Sequence, residues 1–189
     1  MKPFLIIGGT LFGHLIEALI QACGYTADGF IDDFNSGPRI VGRTPDLFSR
    51  LSANDFNLAM AIGYKHLATR LSMFRQLTEA GYKFPALIHP RALVSTCSTI
   101  GNGCILMAGA NVDAFTTVQP LCVLWPGAIV SHNSQIGTNT FVSPNATLCG
   151  FVEIGESSFI GAGSTIVDGC TLPANSFVKA GSRYVSKRT

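Results

Sequence analysis

This chain of 189 residues has few charges, and it lacks the cysteine and histidine spacings that hold metals. Its six cysteines include no CxxC pair and no histidine at ligand spacing, so neither a zinc site nor a redox motif is indicated. Charged residues make up 13% of the chain, the net charge is +2, and no basic run precedes the tail pair Lys187-Arg188. The sequence therefore argues against binding to nucleic acid or to an anionic membrane, and it predicts a small-molecule partner.

Long apolar runs are absent as well, although the mean hydropathy is positive at +0.35. No uncharged apolar stretch reaches the roughly 18 residues of a membrane span. The apolar run at the N-terminus stops at Gly8 without a small-residue cleavage site, which favours a first β-strand over a signal peptide. Cysteines without a pairing pattern are typical of reduced thiols, so we expect a cytoplasmic protein with no membrane span.

The second half of the sequence repeats every six residues. Fifteen uninterrupted hexads run from Leu93 to Ser182, and the second place of every hexad is aliphatic. No helical period produces this spacing. One inward aliphatic residue and one corner per hexad are what a three-sided coil requires, with three hexads, or eighteen residues, in each turn. We therefore predict a left-handed parallel β-helix of five turns.

The fifth place of the hexads supports this prediction. Glycine or asparagine recurs there, as expected for tight corners with positive φ, at Gly103, Gly109, Gly127, Asn133, Asn139, Asn145, Gly163, Gly169, Asn175 and Gly181. Three cysteines, Cys104, Cys122 and Cys170, occupy places for small inward residues, so we interpret them as core thiols.

The first half has a different pattern, in which apolar strands alternate with helices. An apolar run ends at Gly8, and the turn from Gly8 to Gly13 leads into a helix whose apolar face is formed by Leu15, Ile16, Leu19 and Ile20. Further strands are predicted at 27–31 and 57–62, and a helix at about 65–80. This alternation predicts a small parallel, Rossmann-like sheet, so we divide the chain into an α/β domain at 1–88 and a β-helix domain at 89–189.

Candidate ligand contacts lie where the predicted parallel strands end, since ligands bind at that edge of such sheets. The glycine turn with Gly8 and Gly13 could receive a phosphate at the start of the first helix, or it could serve only a tight crossover. The pair Asp32-Asp33 ends the second strand and suits hydrogen bonds to a ribose or a base, with a solvated turn as the alternative. The pair Gly63-Tyr64 follows the third strand at the same edge.

Outward-facing aromatic residues on the coil predict an assembly. Phe115, Trp125, Phe141 and Phe151 would be exposed on a single coil, and packing three coils about an axis would bury them. We therefore expect a homotrimer.

The short α/β unit, the junction Leu87-Ile88-His89-Pro90-Arg91-Ala92-Leu93-Val94-Ser95 and the uninterrupted coil together resemble the sialic-acid O-acetyltransferase and nucleotide-sugar N-acetyltransferase family, which includes the UDP-4-amino-sugar N-acetyltransferase of the bacillosamine pathway. The resemblance spans nearly the whole chain. It implies an acetyl-CoA-dependent acetyltransferase of bacterial surface-glycan biosynthesis whose N-terminal unit binds the nucleotide-sugar. It also implies a homotrimer in which acetyl-CoA lies along the coil between neighbouring subunits.

The same resemblance implies a catalytic base. The segment from Ile129 to Gly137 matches the family's catalytic segment, which places His132 at the position of the general base that acts on the sugar amine or hydroxyl. The residues support this assignment independently, because His132 is the only histidine inside the coil and the fourth place of a hexad faces outward. Ala114 and Gly150, eighteen residues to either side, leave space beside the imidazole. An exposed surface histidine without a role is the alternative.

Other matched positions depart from the family pattern. Asn133 stands where the family example has an acidic residue that raises the basicity of the histidine, which implies a weaker base or a different orienting partner. Phe141 replaces a family histidine that contacts acetyl-CoA, and Trp125 replaces an asparagine near the substrate. Ala162 and Ala180 match further acyl-CoA contacts and are small enough for a pantetheine arm to pass.

Two other hypotheses compete with an acetyltransferase. A γ-type carbonic anhydrase uses the same coil but needs three histidine ligands around zinc, and the three other histidines here all lie upstream of the coil, so we expect no metal. A degenerate, non-catalytic member would bind a nucleotide-sugar or a partner enzyme. Asn133, Phe141 and an end at Thr189, before the family's final segment, are the features that favour this second hypothesis.

Overall fold

The computed structural model describes residues 2–185, so the tail pair Lys187-Arg188 and the end at Thr189 lie outside the described residues. The chain divides into two compact units, Met1–Leu87 and Ile88–Thr189. Neither α-helix within residues 2–185 combines the length and the apolar character that crossing a membrane requires.

The N-terminal unit contains a four-stranded parallel sheet. In chain order its elements are β1 (Phe4–Ile7), α1 (Leu11–Ala22), β2 (Ala27–Ile31), β3 (Ile40–Gly42), a 3₁₀ helix (Thr44–Phe48), β4 (Asn57–Met60), a second 3₁₀ helix (Tyr64–His66) and α2 (Leu67–Glu79). The strand order is β3-β2-β1-β4, and every pairing is parallel. The connections reverse direction at β1, so the sheet has a switch point between β1 and β4.

The predicted parallel α/β sheet is confirmed, with two differences. The sequence pattern does not reveal β3, because this strand has only three residues, all half-buried. The pattern places Leu15 on the buried face of α1, but Leu15 is 48% exposed, whereas Ile16 and Ile20 are fully buried. Leu15 stands about 100° around the helix from Ile16, at the edge of the apolar stripe.

The C-terminal unit is a left-handed parallel β-helix, as predicted, built from two-residue strands. They are β5 (Leu87–Ile88), β6 (Leu93–Val94), β7 (Thr99–Ile100), β8 (Ile105–Leu106), β9 (Asn111–Val112), β10 (Thr117–Val118), β11 (Val123–Leu124), β12 (Ile129–Val130), β13 (Gln135–Ile136), β14 (Phe141–Val142), β15 (Thr147–Leu148), β16 (Glu153–Ile154), β17 (Phe159–Ile160), β18 (Thr165–Ile166), β19 (Thr171–Leu172), β20 (Phe177–Val178) and β21 (Arg183–Tyr184). They stack in three sheets, with orders β20-β17-β14-β11-β8-β5, β21-β18-β15-β12-β9-β6 and β19-β16-β13-β10-β7.

The core of the coil is the ladder of second-place aliphatic residues. Residues eighteen apart pair in register, so Ile136 lies between Val118 and Ile154. From Leu106 to Val178 every second-place residue is at most 6% exposed, and each contributes about 1.5–3 kcal/mol on burial. Cys104, Cys122 and Cys170 are buried in the same interior, as their places in the hexads predict.

The corners confirm the fifth-place prediction, since all ten glycines and asparagines named there have positive φ. Phe115 and Phe151 occupy the same place with φ of 60° and 56°, a conformation that bulky side chains rarely adopt.

Candidate active site

A crevice of about 460 Å³ opens at the carboxyl ends of the strands in the N-terminal sheet. Its lining includes Gly8 after β1, the pair Asp32-Asp33 after β2, and Gly63 after β4. Four of the residues predicted to bind substrate are therefore brought together at the switch point, where ligands of such sheets bind. Gly13 and Tyr64 do not belong to this lining.

Gly8 and Gly13 allow α1 to approach the sheet. Gly8 has a φ of +109°, and an added Cβ would lie 2.9 Å from the carbonyl oxygen of Ala61. A Cβ on Gly13, which is buried in α1, would collide with the carbonyl oxygen of Gly8. Gly13 thus permits the tight crossover between β1 and α1, one of the two roles that the sequence leaves open for it.

Asp32 orders the loops around the crevice. The N–H groups of Phe34 and Asn35 donate to its Oδ1 at 2.9 and 2.8 Å, and the N–H of Gly9 and the side-chain amide of Asn35 donate to its Oδ2 at 2.7 and 3.1 Å. Burial raises the pKa of this carboxyl, but these four hydrogen bonds outweigh burial and lower the pKa to about 2. Asp32 is therefore an ionised group that holds the glycine turn to the loop after β2.

Asp33 holds the next loop in the same way. The backbone N–H and the hydroxyl of Thr44 donate to its two carboxylate oxygens, both at 2.8 Å. Asp33 thereby anchors the start of the 3₁₀ helix at Thr44–Phe48. Both aspartates stand at the crevice, and both bind the backbone of the protein itself.

Several crevice residues escape prediction from the sequence. Thr10, Asn35, Thr44, His66 and Thr69 all line the crevice. Thr10 precedes α1, and His66 and Thr69 lie around the start of α2. Their common signal is a polar side chain placed directly after a strand end or in the first turn of a helix.

The coil carries His132 on the corner that follows β12, and its side chain is exposed as predicted. Its Nδ1 lies 3.1 Å from Oδ1 of Asn133. Because a carbonyl oxygen only accepts, this hydrogen bond puts the proton on Nδ1 and leaves the lone pair on Nε2. Asn133 is thus an orienting partner of the imidazole.

The turns above His132 hold a glycine and two further side chains. Gly150, one turn above, has no side chain, and a Cβ there would lie 3.0 Å from Nε2 of His132 and 3.0 Å from Oδ1 of Asp168. The ring of Phe151 packs edge-on against the imidazole with centroids 5.2 Å apart. Asp168 was outside the sequence prediction, although its distance of two turns from His132 is a signal that could have found it.

Trp125, Phe141, Ala162 and Ala180 belong to a different side of the coil. Trp125, Ala162 and Ala180 follow β11, β17 and β20, which share one sheet with β14, whereas His132 follows β12 in another sheet. Ala162 and Ala180 are exposed and lie one above the other, since the N–H of Gly181 donates to the carbonyl of Ala162 at 2.8 Å. A single coil therefore does not bring these residues to His132.

The prediction that Phe141 is exposed is wrong. This side chain is 1% exposed, and its strand pairs in register between Val123 and Phe159, so apolar neighbours lie above and below it. Trp125 is half-buried, whereas Phe115 and Phe151 are 66% and 56% exposed.

Among residues 2–185, no three His, Cys, Asp or Glu side chains come together as ligands for a metal ion.

Comparisons with known proteins give matches for both units. Residues 4–77 match the family described as the PglD N-terminal domain. The acetyltransferase domain of PglB from Neisseria gonorrhoeae FA1090 has a TM-score of 0.93 at 29% identity, over 98% of this chain and 92% of that chain. In complex with acetyl coenzyme A, that domain has a TM-score of 0.89 at 30% identity, over 95% of this chain and 89% of that chain.

A third similar structure contains both kinds of ligand. PerB from Caulobacter crescentus, in complex with CoA and GDP-perosamine, has a TM-score of 0.89 at 28% identity, over 98% of this chain and 89% of that chain. A comparison with curated protein sequences gives no match.

Proposed function

Because this chain belongs to the hexapeptide-repeat family of nucleotide-sugar N-acetyltransferases, we propose that it transfers the acetyl group of acetyl-CoA to the amine of a nucleotide-linked sugar. The observation that carries this proposal is an exposed imidazole, that of His132, which lies against Gly150 on the next turn and leaves its Nε2 free of the hydrogen bond to Asn133. By analogy with its relatives, the chain would act in the biosynthesis of bacterial surface glycans.

The proposed reaction needs one base. Nε2 of His132 takes a proton from the sugar nitrogen as that nitrogen attacks the thioester carbonyl. The N–C bond forms, the C–S bond breaks, and the thiolate leaves and is protonated to CoA-SH. Asn133 keeps the imidazole in the tautomer with its lone pair on Nε2, and Phe151 restrains the ring from the side.

We assign the nucleotide-sugar to the crevice of the N-terminal unit. Asp32 holds the glycine turn in place, so that the start of α1 can receive a diphosphate through its backbone N–H groups, while the N–H of Gly8 donates to the carbonyl of Ile31 at 2.9 Å. Asp33 and Gly63 line the same space. Asp32 would then act mainly through the loops it orders, because its oxygens already accept four hydrogen bonds.

We assign the pantetheine arm of acetyl-CoA to the exposed column of Ala162 and Ala180, and we propose a homotrimer. This column follows strands of one sheet, and His132 follows a strand of another. If both serve one active site, a neighbouring copy of the chain must supply one of them. Trp125 is placed on the side of the alanines, where it would contact substrate.

We also propose that the enzyme works in the cytoplasm, where nucleotide-linked sugars and acetyl-CoA are made. Cys104, Cys122 and Cys170 are buried in the apolar interior of the coil, which is compatible with thiols in a reducing compartment.

A thiol-release assay tests the function. Wild-type protein is given acetyl-CoA and a panel of UDP-, GDP- and dTDP-linked amino sugars, and His132→Ala is compared with His89→Ala, a histidine outside the hexads. We expect His132→Ala to lose about 10²–10⁴ in rate while its melting temperature stays unchanged, because the imidazole projects outward and leaves no cavity. Absence of CoA release by wild-type protein with every acceptor would instead support a non-catalytic binding module.

A further inference from the structure

One column of the coil combines a base, a glycine and an acid. Ala114, His132, Gly150 and Asp168 occupy the fourth place of hexads eighteen residues apart, on one corner. Among the fifteen fourth places of the repeat, Gly150 is the only glycine. The glycine stands directly between the histidine and the aspartate.

Backbone conformation does not explain the glycine. Proline occupies the fourth place at Pro120, Pro126 and Pro144, so this place has the ordinary negative φ that proline requires. Gly150 itself does not belong to the residues with positive φ. What Gly150 provides is therefore room for the side chains of the turns on either side of it, His132 and Asp168.

The space lies between two functional side chains. A Cβ on Gly150 would lie 2.8 Å from Cε1 and 3.0 Å from Nε2 of His132, and 3.0 Å from Oδ1 of Asp168. Nε2 and Oδ1 are therefore at most about 6 Å apart, which is the span that one nitrogen can bridge with two hydrogen bonds of about 3 Å. By contrast, a Cβ on Gly137 or Gly155 would meet the backbone of the next turn, so those glycines serve the stacking of the coil.

We propose that the notch between Nε2 of His132 and Oδ1 of Asp168 binds the nitrogen of the acceptor, with Asp168 holding the ammonium of the amino sugar while His132 removes its proton. The inference rests on the acetyltransferase function proposed above and adds to it a residue that selects an amine over a hydroxyl. An ammonium brings its own positive charge to the hydrogen bond with a carboxylate, whereas a sugar hydroxyl in the same place donates as a neutral group and is held less strongly. His132 takes one proton from the ammonium and releases it to solvent, and the neutral amine then attacks the thioester. Asp168 stabilises the positive charge that develops on nitrogen, and His132 takes the proton that nitrogen then loses and passes it to the leaving thiolate.

The neighbouring acid of this corner has another role. Oδ1 of Asp113 accepts the N–H of Ala114 at 2.7 Å, which fixes the turn below His132. Asp113 and Asp168 are both exposed. Asp113 therefore serves as a matched control for the loss of one nearby negative charge.

The first test compares the variants Asp168→Asn and Asp113→Asn. Each is given nucleotide-linked amino sugars and, separately, the counterparts of these sugars in which a hydroxyl replaces the amine on the same carbon. For Asp168→Asn we expect the KM of the amino sugar to rise about tenfold and kcat to change less, because the ammonium loses its ion pair with the carboxylate and keeps only a hydrogen bond to the amide oxygen. The Ki of the hydroxyl counterpart, used as a competitive inhibitor, should change much less than the KM of the amino sugar. Asp113→Asn should leave the KM and the Ki unchanged.

The second test fills the notch. A Cβ on Gly150 meets only side-chain ends, which can move, so Gly150→Ala should keep the melting temperature of the wild type. Its acetyl transfer should nevertheless fall at least about tenfold, because an obstructed nitrogen no longer reaches its attack position.

The two proposals fail in distinguishable ways. In the first case, wild-type protein releases CoA with an amino sugar, but Asp168→Asn leaves the KM of the amino sugar unchanged or raises it by the same factor as the Ki of the hydroxyl counterpart. The notch then does not recognise the ammonium, and only the acetyltransferase function stands. If wild-type protein releases no CoA, the function itself is overturned.

Discussion

At the scale of single residues, Asn133 has two tasks that favour the same side chain. Its φ is +56°, in the left-handed region where asparagine, aspartate and glycine are tolerated better than other residues. Its Oδ1 also accepts the hydrogen bond of His132. The residue therefore serves the corner and the base together.

This double task predicts how substitutions of Asn133 behave. Asn133→Asp keeps the acceptor and tolerates the corner, and the added carboxylate stabilises the imidazolium. We therefore expect the acid limb of the pH–rate profile to move to higher pH, with activity equal to or above the wild type on the alkaline side. Asn133→Gly suits the same φ but removes the acceptor, so its rate should fall while its melting temperature holds. Equal profiles for all three proteins would show that Asn133 does not orient the base.

Asp32 predicts a pH dependence of stability. Its folded pKa of about 2 lies below the usual value of about 3.9, so its stabilising effect of about 2 kcal/mol is present above pH 4 and is lost as the pH falls towards 2. Asp32→Asn places an amide against the N–H donors, so it should be less stable at pH 7 and should lose less stability between pH 5 and pH 2. Urea unfolding at several pH values measures this difference.

A matched control for that experiment lies on the same strand. Asp28 is exposed on β2, and Asp28→Asn should follow the wild-type pH dependence. If Asp32→Asn and the wild type lose stability in parallel below pH 5, the hydrogen bonds of Asp32 do not lower its pKa.

At the scale of elements, the coil places opposite demands on the two residues of each strand. Ile136 in β13 is fully buried between Val118 and Ile154, and Gln135 beside it is exposed. Ile136→Ala should therefore lower the free energy of unfolding by about 2–5 kcal/mol. Gln135→Ala should change it by less than about 0.5 kcal/mol. Denaturant unfolding compares the pair, and similar losses from both variants would contradict the inward ladder.

At the scale of the whole molecule, two exposed phenylalanines have an unfavourable backbone. Phe115 and Phe151 have positive φ, which costs about 1–3 kcal/mol for a residue of this kind. Phe151 contacts the imidazole of His132, whereas Phe115 is 66% exposed. Burial of Phe115 against a second copy of the chain would offset the cost.

We therefore predict that Phe115→Asn weakens the proposed trimer although asparagine suits the corner better. Light scattering should give about 60 kDa for the wild type, three times the chain mass of 20.0 kDa, and a lower mass for Phe115→Asn on dilution. The melting temperature of dissociated Phe115→Asn should not fall. Phe34→Asn, which removes an aromatic ring that is 97% exposed on the N-terminal unit, is the control. A wild-type mass of 20 kDa would contradict the trimer.

The sequence by itself determines the two architectures and the outward place of His132. A repeat of six residues assigns every side chain of the coil to the inside, the corner or the outside, because each hexad repeats one local geometry. The strand ends at Gly8, Asp32 and Gly63 could be aligned from the sequence for a similar reason, since parallel strands share an edge.

Only the tertiary structure decides which partners these side chains find. The sequence predicts Asp32 as a ligand contact, but in the folded chain four hydrogen-bond donors of the protein already bind its carboxylate oxygens. These donors come from loops, and no local sequence pattern specifies where the loops place them. Phe141 stands at an outward place, yet it is buried among stacked neighbours. Asp168 and His132 are thirty-six residues apart in the chain, and their polar atoms converge because stacked turns align them and the glycine between them has no side chain that would hold them apart.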